Sequence, residues 1–147
     1  SGIDYDLRRD RPYCAYGQLQ IKVPTRTAGD CYARYEVRMD ELAESIRIVL
    51  LMLDGIPEGP ICSLKPVKLP GAVKPKAGFA YSAIESPRGE LGTWVVADGT
   101  DKPYRCKIRP PSLHALSLLP YLAPGNNISD IIVTLGSLDP IMGEVDR

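Results

Sequence analysis

Residues 29–55 read Gly29-Asp30-Cys31-Tyr32-Ala33, then RYEVRMDELAESIRIVLLML over 34–53, then Asp54-Gly55. Apolar residues recur at Met39, Leu42, Ile46, Val49 and Leu53, in steps of 3, 4, 3 and 4, the period of one helix face. Asp30 offers an N-cap acceptor, and Asp54-Gly55 followed by Pro57 supplies the stop. The pattern predicts one amphipathic helix of roughly 23 residues, ~35 Å long at about 1.5 Å per residue, with the apolar stripe turned inward. Its polar face carries Asp40, Glu41, Glu44 and Arg47, and charges at these spacings are expected in solvent, with no chemistry assigned to them.

Outward from that helix the chain is broken by punctuation. Fourteen prolines and thirteen glycines in 147 residues require many loops, turns and extended segments. Residues 1–29 form an extended lead-in, with Leu19-Gln20-Ile21-Lys22-Val23 as a short strand candidate ended by Pro24. Residues 57–80 are rich in proline, carry Lys65, Lys68, Lys74 and Lys76 against one acid, Glu58, and read as an extended connector inside a single domain, 1–147. Thr93–Ala97 and Tyr104–Ile108 around Asp98-Gly99-Thr100-Asp101 predict a hairpin. Pro110-Pro111-Ser112 opens a shorter helix through Leu122, closed by Pro124-Gly125, and Ser129–Leu135 fits either a helix or a buried strand. The fold class is mixed α+β.

Composition excludes several functions. Hydrophobic residues at 44% and charged residues at 24% are those of a globular chain, and 18 basic side chains balance 18 acidic ones. A neutral balance provides no bulk attraction to nucleic acid or an anionic membrane. The longest apolar run, Ile48–Leu53, is six residues, far below the ~20 a membrane span requires. The opening Ser1-Gly2-Ile3-Asp4-Tyr5-Asp6 has no signal-peptide layout. Cys14, Cys31, Cys62 and Cys106 stand 17, 31 and 44 residues apart, with His114 the one histidine. That spacing disfavours a zinc or iron–sulfur site and predicts reduced, mostly buried thiols. His114 reads as structural, and no nucleophile triad, Walker loop or GxGxxG accompanies it.

Four blocks carry a resemblance. Gly29–Tyr35 with Val37-Arg38-Met39, Glu85-Ser86-Pro87-Arg88-Gly89-Glu90-Leu91-Gly92, Tyr104–Arg109, and the terminal Gly136-Ser137-Leu138-Asp139-Pro140-Ile141-Met142-Gly143-Glu144-Val145-Asp146-Arg147 resemble, in order and spacing, the 49-kilodalton subunit of respiratory complex I, the NADH:quinone oxidoreductase. The resemblance implies a C-terminal fragment of a larger subunit with a hydrogenase-large-subunit-like fold: one long helix, shorter helices and a small antiparallel hairpin or sheet. It implies a quinone-binding, electron-transfer role in a membrane-attached NADH dehydrogenase, with this chain forming one wall of a quinone site beside a small subunit that holds a [4Fe–4S] cluster. NADH oxidation belongs to another subunit of that family, and the isolated chain is expected to be inactive.

By the same resemblance Asp139, Ile141, Glu144, Asp146 and Arg147 are candidates for the quinone-pocket wall or its immediate support, Ile141 as apolar contact to a flat ring and Arg147 as an ion-pair partner of Asp139 or Glu144. Asp30, Arg34, Glu85, Arg88, Glu90 and Arg109 belong to the family's structural motifs, and no catalytic residue is assigned. Related nickel–iron hydrogenases carry two nickel thiolates where this sequence has Ile141 and Glu144, and an alkyl chain with one hard carboxylate does not replace them. No metal or cofactor is expected on this chain. The implied place is peripheral, on the cytoplasmic side of the cell membrane through partner subunits, without nucleic acid. Gly125-Asn126-Asn127-Ile128-Ser129-Asp130 and Gly-Ser-Leu-Asp-Pro are also similar to membrane-bound hydrogenases, so a metal-free scaffold or assembly module is the alternative. Cys14, Ala15, Gly17 and Ala33 stand where the complex I family often has acids.

Overall fold

The computed structural model describes residues 2–60 and 73–146. Asp6 caps a one-turn helix α1 (Leu7–Asp10), a single 3-10 turn covers Tyr16–Gln18, and α2 runs Cys31–Asp54. The strands β1 (Gly78–Ser86), β2 (Gly89–Ala97) and β3 (Arg105–Arg109) follow, then α3 (Pro111–Leu116), α4 (Leu119–Leu122), α5 (Ile128–Leu138) and α6 (Met142–Val145). Helices and one small antiparallel sheet thus share the chain, as the α+β reading requires.

Helix α2 begins and ends where its caps dictate. The Asp30 carboxylate accepts the Ala33 N–H at 2.7 Å, and Gly55 closes the last turn by donating its N–H to the Leu51 carbonyl at 3.1 Å. Which face turns inward differs from the expectation. Ala33, Glu44 and Ile48 are the buried positions, whereas Met39, Leu42, Ile46, Val49 and Leu53 are 47–58% exposed. At about 100° per residue the two sets lie on opposite sides of the helix. The inward side is the one that meets partners: the N-terminal segment, where Leu7 and Ile21 are buried, and α5, where Thr134 is buried.

Glu44 therefore leaves the solvated face assigned to it. Its carboxylate accepts the Lys22 N–H at 2.9 Å and two Arg47 donors at 2.8 and 2.5 Å. The Arg47 guanidinium, with the Lys22 amide behind it, holds its pKa down at about 2. This arrangement also explains why Leu19–Val23 is not a strand: with no neighbouring strand among the described residues, its backbone is satisfied by α2, the Lys22 N–H by Glu44 and the Gln20 carbonyl by Arg47 at 2.5 Å. Asp40 likewise is engaged, by Arg26 at 2.7 Å.

The sheet order is β1-β2-β3, antiparallel throughout. The hairpin expected around 98–101 is β2–β3, with Val96 opposite Arg105 and Trp94 opposite Lys107. Strand β1 has no counterpart among the elements expected from sequence. It pairs with β2 across a tight turn at Pro87-Arg88, from Ser86↔Gly89 to Gly78↔Ala97, and Gly89 takes φ +133° there. Of the expected connector, residues 61–72 lie outside the described residues, and residues 78–80 open β1.

The expected helix over 111–122 is two helices, because Pro120 has no N–H to donate to the Leu116 carbonyl and the run restarts at Leu119. Residues 129–135 lie inside α5, a helix, begun by the Asn127 N–H on the Asp130 carboxylate at 3.1 Å. Cys14 and Cys106 are exposed and Cys31 half-buried, all as thiols, so the expected burial does not hold for them: Cys14 is in a surface turn and Cys106 on the outer strand β3. Cys62 lies outside the described residues.

Candidate functional site

Four segments of the chain line a half-open cavity of about 660 Å3: the lead-in around Tyr5–Arg8 and Tyr16, one flank of α2, the β1–β2 turn and the end of α5. The α2 flank supplies apolar Leu42, Ile48, Val49 and Met52 together with Arg38 and Glu41. Glu41 is open to solvent yet loses hydration on its cavity side, which pushes its pKa up against the pull of Arg38.

Asp139 sits at the rim, where α5 ends. It closes the helix in the left-handed conformation, φ 50° and ψ 51°, a state that Asp tolerates better than most side chains. Two arginines from separate elements converge on it. Arg88, placed by the β1–β2 turn, approaches the Asp139 carboxylate to 2.9 Å and donates Nε–H to the Asp139 carbonyl at 3.2 Å. Arg38, from α2, stands 3.8 Å from the same carboxylate oxygen and donates to the Ser137 carbonyl at 2.9 Å. Cations at the carbonyl end of α5 also match its dipole. A bidentate grip of this kind fixes both backbone and side chain, which a lysine cannot do.

Glu85 forms the wall opposite α2. Its carboxylate accepts the Tyr16 hydroxyl at 2.7 Å and the Tyr13 hydroxyl, while its own N–H donates to the Tyr13 oxygen at 3.1 Å. Burial and the neighbouring Glu85 push the Tyr16 hydroxyl up to about 12, so it stays a hydrogen-bond donor at any physiological pH. Glu90 accepts Tyr81 at 2.7 Å and Tyr5 at 3.2 Å, and Arg109 stands 3.7 Å away. The Tyr81 hydrogen bond is the main reason that the Glu90 pKa falls. Tyr81 reaches Glu90 by lying over Gly92, where any Cβ would collide with the phenol ring.

The remaining candidates fall into two further places. Beyond Asp139 the chain turns into α6, and the fully buried Ser112 organises it: its hydroxyl donates to Glu144 at 2.5 Å and accepts the Ile141 N–H at 3.1 Å. Ile141 is 39% exposed, and Asp146 is exposed at the end of α6. Arg147 lies outside the described residues. The partners actually observed are Arg88 and Arg38 for Asp139, and Ser112 for Glu144.

Asp30 and Arg34 work at the start of α2, away from the cavity. Arg34 donates to the Ser137 hydroxyl at 2.9 Å, the Gly29 carbonyl at 2.7 Å and the Cys31 sulfur at 3.2 Å, tying α2 to α5. Hydrogen bonding from Ser137, with Thr134 and Arg34, lowers the Cys31 pKa. His114 uses Nδ1 on the Pro110 carbonyl at 3.2 Å, within its own turn. Among the described residues no group of three His, Cys, Asp or Glu side chains could hold a metal ion, and no helix is long and apolar enough to cross a membrane. Sequence reasoning does not single out Arg38, Tyr13, Tyr16 or Ser112. Arg38 stands inside a quoted block, and the spacing of Tyr13 and Tyr16 is a visible signal.

The family model for the 49-kDa subunit of respiratory-chain NADH dehydrogenase matches residues 1–147. An NADH-quinone oxidoreductase subunit of Solibacter usitatus is 44% identical over 147 residues, covering all of this chain and 39% of that protein. The like-named protein of Dehalococcoides mccartyi is 46% identical, again over the whole chain and 39% of its own length. The chain thus spans about two fifths of the length of the curated relatives it matches. Among solved structures, a chain of the membrane-bound sulfane sulfur reductase, described as an archaeal respiratory membrane complex, superposes with a TM-score of 0.86 at 37% identity. That match covers 100% of this chain and 40% of the other.

Proposed function

The chain belongs to the family of the 49-kDa subunit of respiratory-chain NADH dehydrogenase, and from that premise we propose that it forms one wall of the quinone site in a complex I-type NADH:quinone oxidoreductase. The observation that carries the reading is the cavity of about 660 Å3, apolar along Leu42, Val49 and Met52, with Asp139 clamped by Arg88 and Arg38 at its rim. A flat apolar ring with polar oxygens needs such a mixture of apolar wall and few, fixed polar groups.

In this reading the chain binds no cofactor of its own. Reduction of a quinone to a quinol consumes two electrons and two protons; a [4Fe–4S] cluster in a partner small subunit would supply the electrons, one at a time, from outside this chain. The part of this chain is to shape and hold the wall. Leu42, Val49 and Met52 supply the apolar wall and the Arg88–Asp139–Arg38 clamp sets the charge at its rim, while Ile141, just past the rim and outside that lining, offers apolar contact on a turn fixed by Glu144 and Ser112. Asp146 and Arg147 complete the terminal motif as its outer support. The fold is of the hydrogenase large-subunit kind, without nickel ligands, and the chain sits peripherally on the cytoplasmic side of the membrane through its partners.

The test uses the intact membrane complex. Ile141→Met is expected to change quinone affinity or inhibitor sensitivity while assembly stays unchanged. Unaltered kinetics across several substitutions at Ile141 and at the cavity-lining Leu42 and Met52 would sink the reading. They would favour the second one, a metal-free scaffold related to membrane-bound hydrogenases. There, substitutions at Asp139 would alter assembly alone.

A further inference from the structure

One face of the sheet is covered by the lead-in tyrosines at its turn end, over Glu85 and Glu90, and among the described residues its far end is exposed and chemically unlike the rest of the surface. The register places Phe79 opposite Val96 and Tyr81 opposite Trp94 on that face, and on the outer strand Arg105 opposite Val96 and Lys107 opposite Trp94. Phe79 stacks on Trp94 with centroids 5.6 Å apart, and Tyr81 meets the same indole edge-on at 6.4 Å. Phe79 is 75% exposed and Trp94 46%. Toward the β1–β2 turn the face is neutralised, since Arg109 has Glu90 at 3.7 Å. At the other end Arg105 and Lys107 are exposed, and among the described residues neither has a carboxylate within ion-pair distance.

We propose that this aromatic and cationic face docks an acidic segment of another protein subunit in the same assembly. The inference rests on the proposed membership of a multi-subunit assembly, but not on the quinone site. Three aromatic rings beside two uncompensated cations call for a partner that brings carboxylates and apolar side chains together. Aromatic residues and Arg are the types enriched where separate chains meet. The exposed stripe of α2 is different in kind: Met39, Leu42, Ile46, Val49, Leu50 and Leu53 are all aliphatic or thioether. Nucleic acid is a poor match, because affinity for it grows with many neutralised phosphates, roughly six to ten, and the chain's formal net charge is zero. Anionic lipid is a poor match for the same reason, since recognition takes clusters of about four to eight basic residues.

A photo-crosslinking benzoylphenylalanine placed at Phe79 in the intact, membrane-derived complex reads the occupant directly. The expected product joins position 79 to a different subunit, within a peptide containing Asp or Glu. A crosslink within the same polypeptide, to lipid or to nucleic acid, or no crosslink at all, overturns the proposal. Charge reversal gives the second arm: Arg105→Glu with Lys107→Glu should lower retention of that partner in the purified complex by about tenfold or more. Converting the crosslinked acids to lysine should restore it. Unchanged retention in the double variant also overturns the proposal. Both side chains are exposed, so the fold is not at stake.

Discussion

Glu44 and Asp139 are both carboxylates held by arginine, but their surroundings give the two pairs opposite tasks. Glu44 is buried at the inner face of α2, and its donors, Arg47 and the Lys22 amide, fasten the lead-in segment to the helix. Asp139 is partly open at the rim of a cavity, and its arginines arrive from two other elements. A buried, fully hydrogen-bonded carboxylate stabilises one conformation and does little else. A clamped carboxylate facing a cavity keeps a fixed charge where something else can feel it. Substitution at the first is expected to change stability, and at the second activity.

The largest effect should come from Asp139→Asn in the intact complex. It removes the carboxylate that Arg88 and Arg38 share beside the cavity, and quinone reductase activity is expected to fall by about tenfold or more, the equivalent of ~1.4 kcal/mol, with the complex still assembled. Steady-state kinetics alongside native gel analysis check both halves, and a variant that loses assembly in proportion to activity would collapse the contrast with Glu44. Arg88→Lys sharpens the same point. It retains the charge but loses the Nε–H bond to the Asp139 carbonyl, so activity should drop by a smaller factor, about two to five.

Glu44→Gln should act on stability, lowering it by about 1 kcal/mol near neutral pH, since Arg47 is partly exposed and water screens its side of the pair. The pH dependence carries a sign. The folded Glu44 pKa, about 2, lies below the ordinary value of 4.5, so the pair stabilises above about pH 4.5 and loses its contribution as pH falls toward 2. Thermal melts of the wild type should therefore decline more steeply over that interval than those of Glu44→Gln, and parallel curves would remove the pair from the account. The most local effect is at Ser112→Ala, which strips one hydrogen bond from Glu144 and one from the Ile141 amide. About 1–2 kcal/mol of local stability should appear as faster amide exchange at Ile141.

The legible parts of this molecule are those with short-range causes. Helix α2 can be bounded to within a residue because Asp30 and Gly55 act on their own turns, and the β2–β3 hairpin because its turn residues are contiguous. The Pro120 break shows the same locality. Its consequence, two helices in place of one, follows from a missing N–H, although the expectation of a single helix over 111–122 ignores it. At the site, Asp139 and Arg88 stand in recognisable blocks, but nothing near either in sequence indicates that Arg38 completes the clamp from 101 residues away. Nor does the lone Ser112 signal that it anchors the turn after Asp139.

By itself the sequence determined the family, the mixed helix and sheet composition, the ends of the long helix and the residue types available for a site. Only the tertiary structure decided which side of that helix faces inward. The 3-4 spacing of Met39, Leu42, Ile46, Val49 and Leu53 marks an apolar stripe, but the helix turns toward whatever this chain can pack against it. Here the lead-in and α5 meet Ala33, Glu44 and Ile48 instead. Periodicity records that a face is apolar, whereas burial depends on a partner surface supplied by other parts of the chain, and that information is not local.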